Sequence, residues 1–174
     1  MGANKHESRI LAIALRNRRF AYAAFEGRDR LLDWGVYFFP PADEGGGTVA
    51  GRRVGGLLRL FTPSVIVVRI ANRGSRDGSS GLKRILRAIR RESSVRSIPL
   101  CRIGRKGVLQ AFRIFRGNKY EIAVMLSQLF PDLHWKLPPK REFYDGEHPR
   151  MIVFDAVAAG FAYWQLNSEE VSQP

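Results

Sequence analysis

The chain has 174 residues, of which 29 are Lys or Arg and 16 are Asp or Glu, giving a formal net charge of +13 at neutral pH. An apolar fraction of 45% is enough to bury a core in one domain and excludes a wholly disordered chain, while no apolar run reaches the length of a membrane span. The single cysteine, Cys101, excludes an internal disulfide, and one Cys with three His fits no standard zinc spacing, so a soluble protein of the reducing cytosol is expected. The excess of cations says nothing about fold, but it predicts attraction to a polyanion, nucleic acid ahead of an anionic membrane.

One domain is expected over residues 9–166, between loose polar tails at 1–8 and 167–174. Arg9 to Leu15 reads as a short apolar strand, Asn17 as a turn residue, and Phe20 to Phe25 as a second strand. The turn Glu26-Gly27-Arg28-Asp29 leads into a third strand over Leu31 to Phe39, where Leu32, Trp34, Val36 and Phe38 alternate as on a half-buried surface. Pro40-Pro41 and Gly45-Gly46-Gly47 form a loop before a helix over Val49 to Phe61, with Val54, Leu57, Leu58 and Phe61 on one side. Val65 to Val68 is a continuous β-branched run of the kind found in a central strand covered on both faces.

Residues 71–80 are rich in Arg, Gly and Ser and read as a loop, from which Ser79 or Ser80 caps a helix carrying Leu82, Ile85, Leu86 and Ile89. Ser97 to Ile103 is the last strand. Asn118-Lys119-Tyr120-Glu121 has the form of a capping box, and Ile122, Met125, Leu126 and Leu129 supply the buried stripe behind it. Leu137 to His148 is loop, and Pro149 opens a final helix to Trp164 that holds one acid, Asp155. Three strands followed by alternating helices and strands define an α/β chain, a mixed five-stranded sheet with helices on both faces.

That order resembles the RNase H fold, and four segments resemble the RuvC-like branch of Holliday-junction resolvases. Ile10-Leu11-Ala12-Ile13-Ala14 is similar to a first strand that in this family ends in Asp, and Pro63-Ser64-Val65-Ile66-Val67-Val68-Arg69 to a central strand that ends in Glu. Arg105-Lys106-Gly107-Val108 with Gly117 to Ile122 resembles the approach to a Lys-containing helix, and Asp155-Ala156-Val157-Ala158-Ala159-Gly160 the closing motif of an Asp followed by small residues. The resemblance implies a structure-specific endonuclease acting on branched DNA, with Mg²⁺ or Mn²⁺ as cofactor and a homodimer as an open option. Such chemistry needs two hard cations about 4 Å apart held by several converging carboxylates. The matching positions here are Ala14, Arg69 and Asp155, so two of three expected acids are absent and the site reads as incomplete. Ala14 is open to two readings, natural decay or a substitution of the kind used to trap a nuclease on its substrate; Arg69 favours divergence.

Asp155 reads as the surviving metal ligand, because a lone carboxylate in an apolar helix is costly without a partner; the alternative is an acid paired with an Arg. Asp145 and Glu147 lie in a polar loop and read as solvated charges, and Glu121 as the capping acid. From Lys83 to Lys119 twelve cations face Glu92 alone, which reads as a phosphate-binding face. Its expected contacts are Arg87, Arg90, Arg91, Arg105, Lys106 and Lys119, with Arg73 and Arg76 from the preceding loop and Arg16 from the end of the first strand. Phe112, Phe115 and Tyr120 are candidates for stacking on unpaired bases, and Trp34, Trp135 and Trp164 for core or core edge. DNA is favoured over RNA as partner and no membrane is expected. The leading reading is a branched-DNA-binding protein of nuclease ancestry with an incomplete site. The alternatives are a naturally non-catalytic nucleic-acid-binding or scaffold module and a basic domain with an acidic protein partner.

Overall fold

The computed structural model describes residues 8–16, 18–40, 45–69, 80–113, 118–140 and 147–170. Five strands, β1 (Arg9–Arg16), β2 (Arg19–Glu26), β3 (Arg30–Phe38), β4 (Val65–Arg69) and β5 (Leu100–Ile103), form one sheet in the order β3-β2-β1-β4-β5. The first three pair antiparallel, whereas β4 runs parallel to β1 and β5 parallel to β4. The turn after β2 places Gly27 at φ 68°, a conformation glycine adopts without strain. Helices α1 (Gly46–Phe61) and α2 (Ser80–Val95) cover one face; α3 (Arg105–Ala111), α4 (Lys119–Leu129), a 3-10 segment (Pro131–Lys136) and α5 (Met151–Glu170) cover the other.

The two faces differ in residue size, and the period of two along a strand sorts them. Leu11, Ile13, Leu15, Phe20, Ile66 and Val68 point towards α1 and α2. Ala12, Ala14, Ala21 and Ala23 point the other way, against Ala156, Ala158, Ala159 and Ala162 of α5. Small residues on both partners bring α5 close to the sheet: a methyl group at Gly160 would lie 2.4 Å from the Phe25 ring and 3.2 Å from Ala12 Cβ. A similar stripe on α1 admits α2, since a Cβ at Gly51 would sit 3.6 Å from that of Ala88 and one at Gly47 3.7 Å from that of Arg84.

Several elements differ from their expected bounds. β5 begins at Leu100 instead of Ser97, α1 begins at Gly46 within the glycine run, and α5 runs to Glu170, past both Trp164 and the expected tail boundary at 167. Helix α3 has no counterpart in the sequence reading, because seven residues interrupted by Gly107 show too little periodicity. The Asn118–Glu121 capping box is present in full. Trp34 and Trp164 pack at the core edge as expected, but Trp135 is 64% exposed, and Phe112 is buried against Phe161 and is not free to stack on a base. Arg73, Arg76, Phe115 and Asp145 lie outside the described residues. Among those described, no helix is long and apolar enough to cross a membrane.

Gly160→Ala should lower the urea midpoint: helix propensity favours Ala by about 1 kcal/mol, but overpacking a core costs about 1–3 kcal/mol. Gly56→Ala, where the added Cβ meets nothing within 4 Å, should raise it. A raised midpoint for Gly160→Ala would contradict the tight approach of α5.

Candidate functional site

Strands β1 and β4 end together, and their register pairs Ala14 with Arg69. Ala14 and Arg16 share the α5 side of β1, as Val67 and Arg69 share it on β4, so both guanidinium groups emerge under the first turns of α5. Asp155 meets them there. Its Oδ1 forms an ion pair with Arg69 Nε at 3.0 Å, and its Oδ2 lies 3.2 Å from Arg16 Nη2 and 3.2 Å from Lys119 Nζ. Lys119 reaches this point because the Asn118–Glu121 box fixes the start of α4, with Lys119 in its first turn. Glu147 closes the ring, accepting from Lys119 Nζ at 2.8 Å and from Arg16 Nη2.

Burial makes these contacts strong. Asp155 is only 8% exposed, and a carboxylate taken out of water in an apolar helix requires cations to satisfy it. Burial alone would pull the Arg16 guanidinium down, but hydrogen bonding and charge from Glu147, then from Asp155, leave it above its ordinary value. Burial likewise would raise Glu147, yet the hydrogen bonds and charges of Lys119 and Arg16 hold its carboxyl below the ordinary range. Glu147 is therefore part of a half-buried network, contrary to its reading as a solvated loop charge. Its position beside a loop gave no periodic signal, and only the pairing across 131 residues of chain reveals it.

Three cations against two carboxylates leave the cluster one positive charge in excess. The residues present do not fit a pair of hard divalent ions: Ala14 offers no ligand, Arg69 occupies Asp155 from the second expected acid position, and both Asp155 oxygens already face cations. No group of three or more His, Cys, Asp or Glu suited to a metal exists among the described residues. Of the two sequence readings of Asp155, the carboxylate paired with Arg is the arrangement seen among the described residues.

A cleft of about 430 Å³ opens beside the cluster, lined by Lys119 and Glu147 together with Arg105, Tyr120, Lys140 and His148. Lys106, next to Arg105 on α3, is exposed. Arg87, Arg90 and Arg91 are exposed on α2, over the opposite face of the sheet, where Glu92 is taken by Arg96. With Arg52 and Arg84, Arg87 and Arg91 line a second, shallower groove between α1 and α2. The described cations expected to bind nucleic acid thus divide between two surfaces.

No protein-family model matches the sequence, and no curated protein matches it. Solved structures do share its fold, which is the RuvC form of the RNase H-like architecture. RuvC of Thermus thermophilus matches with a TM-score of 0.73 at 17% identity over 95% of this chain and 99% of its own. The same protein in complex with its Holliday junction substrate matches at 0.72 and 17%, over 96% and 99%. The yeast mitochondrial Holliday junction resolvase matches at 0.60 and 16%, over 94% of this chain and 81% of its own.

Glu147 gives the cluster a pH signature. A carboxyl whose folded-state value lies below its unfolded value of about 4.3 contributes stability above that pH and loses it as pH falls through the folded value. Thermal melts followed by circular dichroism should show the wild type losing stability on acidification below about pH 4.3, and Glu147→Gln losing less over the same interval. Identical acid limbs for the two would contradict the network.

Proposed function

We propose that this chain binds branched DNA and does not hydrolyse it. The observation that carries the reading is the Arg69–Asp155 ion pair at the joint ends of β1 and β4, where the resembled family gathers carboxylates for metal ions. A guanidinium fixed there opposes the approach of Mg²⁺ or Mn²⁺, while leaving the surrounding field attractive to phosphate. Support for the substrate class comes from the fold it shares with RuvC, one structure of which holds a Holliday junction, and from the exposed cations of α2 and the cleft. DNA is chosen over RNA on the same likeness. The free, half-buried Cys101 is consistent with a cytosolic setting.

Ala14→Asp alone does not restore a metal site in this account. A new carboxylate beside Arg69 meets a cation before it meets a metal.

The test is a titration of a four-way DNA junction at several salt concentrations, with gel assays of cleavage in Mg²⁺ and Mn²⁺. Binding should weaken with salt, each neutralised phosphate contributing a log-log slope of about −0.9 on duplex arms. Replacing Arg87, Arg90 and Arg91 with Glu should weaken it further. Neither the unmodified chain nor Ala14→Asp should cut. Salt-independent affinity would overturn the binding reading, and cleavage by either protein the non-catalytic one.

A further inference from the structure

A loaded two-metal site and the cluster in this chain carry similar net charge by different means. Two divalent cations bring four positive charges to three or four carboxylates, leaving the site neutral or one unit positive. Here Arg16, Arg69 and Lys119 face Glu147 and Asp155, again one unit positive with no metal at all. Resting on the branched-DNA reading above, we propose that this cluster is a metal-free phosphodiester site in which three side-chain cations stand where divalent ions would otherwise receive the backbone.

Two features of the cluster favour an anion, an unused donor inside it and a cation at its solvent edge. Arg69 spends Nε on Asp155, while its Nη1 is buried and has no hydrogen-bond partner among the described residues. A buried guanidinium N–H left unpaired is costly, and a phosphate oxygen is a matched acceptor for it once the Lys119 and Glu147 side chains in front of it give way. Lys119 is the member that reaches solvent: its side chain is 40% exposed and, with Glu147, forms the wall between the cluster and the cleft. That cleft, about 430 Å³, falls in the size range of small-ligand sites of about 300–1,000 Å³. Arg105 and Lys140 add positive charge along it and Tyr120 and His148 add faces on which a base can stack. The arrangement suits a backbone phosphate from an unpaired or sharply bent strand, with its sugar and base lying in the cleft.

The consequence is that the grip on branched DNA is indifferent to divalent metal. The experiment uses a fluorescently labelled duplex with a single-stranded flap, titrated with the full chain at one ionic strength in Mg²⁺ and in EDTA. The wild type should bind equally in both, within twofold. Arg69→Gln should lose about tenfold or more in both, the range expected for one charge-assisted hydrogen bond. Lys119→Gln, at the half-exposed edge where folding is not at stake, should lose severalfold in both. Wild-type affinity that collapses in EDTA would overturn the metal-free site while leaving DNA binding intact. So would a folded Arg69→Gln, or Lys119→Gln, that binds as tightly as the wild type. Absence of any binding by the wild type would overturn this inference together with the reading beneath it.

Discussion

Asp155 is a carboxylate in the second turn of α5, among apolar residues packed on an apolar sheet, and cations must come to it. A guanidinium arrives from the end of β1, another from the end of β4 and an ammonium from the first turn of α4. Each comes from an element whose position is fixed for other reasons: strand register, the alanine-lined approach of α5, and the capping box. Arg69, the least exposed of the three, is among the described residues the only cation on Asp155 Oδ1, whereas Arg16 and the half-exposed Lys119 share Oδ2, so removing Arg69 costs the buried carboxylate most. Glu147 then spans the two outer cations and ties the segment before α5 to β1 and α4.

This constraint sits at the end of the parallel strands β1 and β4, where α/β sheets commonly place ligands. The two basic surfaces meet at the same end. On one side, Arg105 and Lys140 line the cleft beside Lys119. On the other, Arg18 in the turn after β1 adjoins the starts of α1 and α2, from which the Arg-lined groove continues. A polyanion lying across the strand ends would contact both, with the cluster between them. An ordinary nuclease site of this geometry recruits metal to meet the backbone, whereas this chain already holds its cations in place.

Much of the fold was legible because its signals are local. The alternation of β3, the β-branched run of β4 and the Asn118–Glu121 box each reported the right element, and the run of small residues after Asp155 reported the close packing of α5. Helix α3 was too short for a period, and the exposure of Trp135 depends on tertiary packing that no local pattern records. In the site, the positions of Ala14, Arg69 and Asp155 followed from the resemblance, and their convergence is what the register of β1 and β4 delivers. What they do together was not legible. Whether a lone acid binds metal or pairs with a cation is decided by side chains 86 and 139 residues away in the chain, Arg69 and Arg16, and by a loop Glu held by Arg16 and Lys119.

The central claim is that side-chain cations, not divalent ions, occupy the neighbourhood of Asp155. Titration of the isotope-labelled free protein with Mn²⁺, followed by paramagnetic broadening of backbone amide signals, tests it most directly. The account predicts no selective broadening at Ala14, Arg69 or Asp155 while amides elsewhere report only weak surface effects. Saturable broadening centred on those three residues would show that the site takes metal despite Arg69, and would contradict the account.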